Sequence, residues 1–142
     1  MQNALRGLMV ALVLTALALG CASLGKGHDE DQIHVAVARV KEALEKKDID
    51  ALMATFSDNY KDPRVGGKAE ARLLLQQGLA SGYADNGKVN MDGIKVTFSE
   101  DKKKATVYPL DLSSSMGAIS VEIIFAREKS GWLVTGVNAN GV

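Results

Sequence analysis

The chain has 142 residues, with 17 basic and 17 acidic side chains, two histidines and one cysteine. That balance argues against a nucleic-acid partner, which demands a basic face, and a lone cysteine rules out an intramolecular disulfide. A chain of this length fits one domain with one core.

Met1 to Arg6 forms a short basic start, and the run from Gly7 to Gly20 carries no charge, being mostly Leu, Ala and Val. At roughly 1.5 Å per residue such a run spans about 20 Å, short of the roughly 30 Å hydrocarbon core of a bilayer. It therefore reads as a signal peptide over residues 1–20 and not as a membrane span. Its end, Ala18-Leu19-Gly20-Cys21, resembles the lipobox of bacterial lipoproteins, with Ala18 standing where such signals usually carry Leu. The alternatives are an ordinary secretory signal and an uncleaved anchor. The resemblance implies cleavage before Cys21 and lipidation of its thiol with acyl chains such as palmitate. It thus implies an envelope lipoprotein bound to a membrane through lipid on Cys21. Ala22, not Asp, follows the cysteine. By resemblance to enterobacterial sorting rules this implies the outer membrane, facing the periplasm, in a Gram-negative host.

Residues 21–31 are polar, contain glycine and lack periodicity, which predicts a lipidated flexible tether. The domain is expected over residues 32–142. Ile33, Ala36, Val37, Val40 and Leu44 recur at helical spacing and predict a first amphipathic helix. Asp48 is placed to cap a second, short helix carrying Ile49, Leu52, Met53 and Phe56. Ser57 to Gly67 is rich in turn signals and has room for a short strand or hairpin. Lys68 to Ser81 predicts a third helix with Ala71, Leu74, Leu75, Gly78 and Leu79 on one inward face, ended by Gly82.

After Asn86-Gly87 the period changes to two. Ile94 to Phe98, Ala105 to Leu112, Val121 to Phe125 and Trp132 to Val137 read as four strands of an antiparallel meander. Helices first and strands afterwards predict an α+β fold, with three N-terminal helices packed on a curved, mainly antiparallel sheet. The Asp48-Ile49-Asp50-Ala51-Leu52-Met53 and Phe56-Ser57-Asp58-Asn59-Tyr60 segments, the Gly66-Gly67-Lys68 helix start and the closing Gly131-Trp132-Leu133-Val134 resemble the nuclear transport factor 2-like superfamily. The resemblance covers about Ile33 to Val137 and implies its cystatin-like, cone-shaped α+β fold. That fold also houses ketosteroid isomerases and polyketide-cyclase-like proteins, so it does not fix a function.

Enzymes of that superfamily bring a hydrogen-bond donor and one or two carboxylates together inside the cone. Asp111 and Tyr108 are the only acid and phenol within the predicted strands that could face inward together, and strand alternation sends them to opposite faces unless Pro109 marks a bulge. Tyr60 is a further candidate, but its amphipathic ring better suits a cap on the core with the hydroxyl in water. His28 and His34 have no thiol or organised carboxylates beside them, so no metal is expected, and no cofactor motif is present. The expectation is a non-catalytic domain that binds a small apolar ligand or an envelope protein partner. The alternatives are an isomerase, dehydratase or cyclase of the same fold and a structural subunit of an envelope complex.

Overall fold

A computed structural model describes residues 24–140, so Cys21 and the predicted signal lie outside the described residues. The chain divides into two units, Met1–Gln32 and Ile33–Val142. The first helix, α1 (Leu24–Glu45), starts earlier than the sequence pattern indicates. Residues 24–31, expected as a flexible tether, are therefore helical. Gly25 and Gly27 each cost a helix only about 1 kcal/mol, there is no proline, and adding a turn to a formed helix avoids the cost of nucleation. Within this first unit Gln32 Nε2 donates to His28 Nε2 at 2.9 Å, one turn apart.

In the second unit α1 buries the expected stripe, Ile33, Val37 and Val40. It stops at Lys47, which takes a left-handed φ of 55°. There the Lys47 and Asp48 N–H groups donate back to the Leu44 and Ala43 carbonyls, closing a Schellman turn. Asp48 then caps α2 (Ile49–Ala54), its carboxylate accepting from Ala51 N at 2.9 Å. A two-stranded hairpin follows, β1 (Lys61–Asp62) with β2 (Gly66–Gly67). The third helix, α3 (Lys68–Ala80), begins where Glu70 Oε2 accepts from Gly67 N at 2.9 Å. It ends at Gly82, whose φ of 84° provides the predicted left-handed cap.

The main sheet contains β3 (Lys88–Asn90), β4 (Lys95–Phe98), β5 (Lys104–Ser114), β6 (Gly117–Glu128) and β7 (Gly131–Asn140). The four expected strands form the antiparallel succession β4-β5-β6-β7. Short β3 pairs with the far end of β5, along the same edge as β4. Two register shifts bend the long strands, one in β5 between Val107 and Leu110, the other opposite Ile124 and Phe125 in β7. Val107, Leu110, Val121, Ile123, Phe125 and Val134 fill the buried face against α1 and α2. Trp132 closes one end of this core, with the Phe98 ring 5.9 Å away and the Arg127 guanidinium 4.8 Å over its indole.

Candidate functional site

The β5 bulge decides where the two strand candidates point. Tyr108 and Pro109 together stand opposite Glu122, one residue more than the ladder needs, so Val107 and Leu110 both face the core and Tyr108 and Asp111 share the opposite face. The condition under which they share a face is thus met, but that face is the outer one. Tyr108 is 40% exposed, and Asp111 Oδ1 accepts from Ser120 Oγ at 2.5 Å across the β5–β6 ladder.

Tyr60 is buried, its ring tilted on Phe56 at a centroid distance of 5.0 Å. Burial, reinforced by the nearby Asp62 carboxylate, pushes its phenol above the usual tyrosine range. Asp62 itself escaped the sequence reading. It is a buried acid that takes the Arg64 N–H at 2.7 Å, the Val65 N–H at 3.2 Å and the Arg64 guanidinium at 3.3 Å. Its position ahead of Pro63 was the available signal, because Asp organises such turns through its side chain. The Arg64 side chain, then the backbone N–H groups, hold the Asp62 carboxyl below the ordinary range. A depressed folded-state value means that its stabilisation is present above the unfolded carboxylate range and is lost as pH falls through the folded one. Asp62→Asn should therefore lower Tm at neutral pH, and thermal melts should bring it level with the parent in acid.

The molecule's apolar concavity lies elsewhere, at the C-terminal half of α3. That face was expected to be buried, and only Ala71 is; Leu74 is 54% exposed and Leu75 half-buried. Periodicity identifies an apolar face but not its cover. Here the face borders a cavity of about 530 Å³, within the roughly 300–1,000 Å³ range of small-molecule sites. Leu75, Gly78 and Leu79 form one wall, Leu44 and Glu45 from the end of α1 a second, and Val89, Leu112 and Ile119 from the sheet a third. Tyr83 and Met116 stand on the rim, both more than 60% exposed.

Two features border this space. Gly78 sits in the last turn of α3, where a Cβ would meet nothing within 4 Å. The segment after α3 borders the cavity and is fixed at its outer side, Asp85 O accepting from Ser115 N at 2.9 Å and the Asp85 carboxylate pairing with Lys47. The acid in the wall is already engaged. Glu45 Oε1 accepts from Lys41 Nζ at 2.8 Å and from Val89 N at 2.9 Å, and Lys41 also donates to Val89 O at 2.5 Å. The Lys41 hydrogen bond, then that of Val89, lowers the Glu45 pKa. The pair satisfies the outward N–H and C=O of Val89, which have no strand beyond them, and so ties β3 to α1.

A second hollow of about 360 Å³ between α1, α2 and the start of β7 is lined by alanines and charged side chains, including a Glu42–Lys46 pair at 2.6 Å. Among the described residues no group of three His, Cys, Asp or Glu side chains could hold a metal ion. Nor is any helix there long and apolar enough to cross a membrane.

No protein-family model and no curated protein matches the sequence. Solved structures do match in fold. A nuclear transport factor 2-like protein of unknown function from Pseudomonas putida superposes with a TM-score of 0.68 at 12% identity, over 82% of this chain and 89% of its own. A candidate dehydratase of the same family from Streptomyces avermitilis gives 0.65 at 16% identity, over 82% and 97%. A protein of unknown function with a cystatin-like fold, from Nostoc punctiforme, gives 0.63 at 18% identity, over 78% and 88%. The chain has the nuclear transport factor 2-like, cystatin-like α+β fold. At such identities the likeness concerns architecture.

Proposed function

We propose that this chain is an envelope lipoprotein, anchored through lipid on Cys21, whose domain binds a small apolar ligand in the cavity beside α3 and does not turn it over. In a Gram-negative host the anchor sits in the outer membrane and the domain faces the periplasm. The observation that carries the binding reading is an apolar cavity bordered by Gly78 in the last turn of α3, with its one wall carboxylate already tied to Lys41 and Val89.

Turnover of the isomerase or dehydratase kind needs a titratable group free to move a proton and a second polar group to stabilise developing charge. Tyr60, Tyr108 and Asp111 do not line this cavity, Glu45 is occupied, and the Tyr83 and Lys88 side chains at its edge are exposed to water. Asp111→Asn should accordingly leave the cellular phenotype of the gene intact. Its loss in a protein that still folds and is exported would move the reading to an enzyme.

The direct test is Gly78→Phe. Its ring enters open space, and replacing a helical glycine recovers up to about 0.5 kcal/mol of helix propensity. Tm should hold or rise while the affinity for an environment-sensitive apolar dye falls more than tenfold. Unchanged dye binding by this variant, or none by the parent, refutes the site.

A further inference from the structure

We infer that the ligand of this cavity is a neutral hydrocarbon alcohol, its chain along the row Val89, Leu112 and Ile119 and its hydroxyl donating to Glu45 Oε2; the inference rests on the binding reading above. Strand register sets the row. Val89 on β3 pairs with Leu112 on β5, and Leu112 pairs with Ile119 on β6, so the three side chains stand abreast on the inner face of the sheet and line the cavity together. Two inter-strand steps make the row roughly 10 Å long. A hydrocarbon chain laid across the strands covers it, with Leu75 and Leu79 of the α3 wall as its other apolar contacts.

Glu45 stands at the β3 end of this row. Its Oε1 takes both the Lys41 ammonium at 2.8 Å and the Val89 N–H at 2.9 Å. Its Oε2 accepts from none of the described residues. Every buried side-chain nitrogen or oxygen among those residues has a partner, so an unpartnered Oε2 is accessible, and Glu45 is part of the cavity wall. The Lys41 hydrogen bond, then that of Val89, keeps the carboxyl ionised at neutral pH. An ionised carboxylate only accepts. The ligand group that meets it is therefore a donor.

Charge decides which donor. The negative charge of Glu45 is already balanced by Lys41, and Lys88 adds a second positive charge to its surroundings. A ligand ammonium would be repelled by both lysines, and a ligand carboxylate by Glu45 itself. A neutral hydroxyl meets neither penalty. An amide N–H also brings a carbonyl, for which the apolar side chains of the row have no donor.

The test sets the full chain on phosphatidylcholine vesicles, loads it with the environment-sensitive apolar dye and displaces the dye with n-octanol or its isomer heptyl methyl ether. Both carry one oxygen, but only the alcohol donates. Measured as concentration free in water, half-displacement should need roughly three- to tenfold less alcohol than ether, the size of one net hydrogen bond. In Glu45→Gln the amide oxygen takes over the bonds to Lys41 and Val89 and leaves an NH2 for the ligand. That group donates to either probe, so the ratio should fall to about one. Lys41→Met loosens the same tie but keeps the carboxylate, and there the preference should persist. Equal displacement by both probes in the parent overturns the alcohol while leaving an apolar site. A preference that survives Glu45→Gln, or one lost in a folded Lys41→Met, overturns Glu45 as the acceptor. Failure of the parent to bind the dye, or of both probes to displace it, overturns the cavity reading as well.

Discussion

Ile123→Asp should leave the domain without a cooperative thermal transition. Ile123 is 3% exposed in β6, with Val107 and Val137 as register partners on either side. The substitution forfeits about 1.5–3 kcal/mol of side-chain burial. It also places a carboxylate where no cation reaches it, and an uncompensated buried charge costs a further 3–5 kcal/mol. Together these approach the 5–15 kcal/mol total stability of a typical domain. Leu74→Asp is the paired control. Its side chain lies at the cavity rim, 54% exposed, and an acid there can stay in water. Circular-dichroism melts should show Leu74→Asp folded and Ile123→Asp unfolded. If both melt like the parent, β6 has been assigned the wrong inward face.

That contrast marks what could be read from the residues before the fold was known. Val121, Ile123 and Phe125 alternate with polar or half-buried neighbours, and period-two alternation on a central strand leaves one answer for the core face. Ile33, Val37 and Val40 are equally clear at helical spacing. Leu74, Leu75 and Leu79 form as good a stripe, yet whether such a face meets a sheet, a ligand or water depends on where β5 and β6 end. No local pattern encodes that. The parity of Tyr108 and Asp111 was readable only conditionally, because one extra residue in a bulge reverses the face of everything beyond it and Pro109 hints at a bulge without requiring one. Strand β3 has one buried apolar residue, Val89, and exists because β5 pairs with it on one side while Lys41 and Glu45 bond it on the other. At Gly78 the missing side chain borders the cavity, and a Cβ there would meet nothing within 4 Å.

Cys21→Ser should abolish incorporation of labelled fatty acid and release the protein from the membrane pellet. The thiol is the one cysteine in the chain, it follows Gly20 at the end of an uncharged run, and it cannot be serving a disulfide within the chain. A hydroxyl is a far poorer nucleophile than a thiolate at neutral pH, so serine keeps the size of the side chain while removing the acceptor. Membrane attachment tests the same point through energetics. Each buried methylene contributes about 0.8 kcal/mol, and stable anchoring requires a second signal beside a single chain. No described helix can span a bilayer. With formal net charge zero, the chain as a whole brings no excess of cations that would hold it to anionic lipid. Under the proposed anchoring the acyl groups therefore hold the processed protein, and their loss should move it from pellet to supernatant after the signal is cleaved. If the serine variant remains in the pellet in processed form without label, attachment runs through another surface. If it remains there unprocessed, the uncleaved apolar run is the anchor.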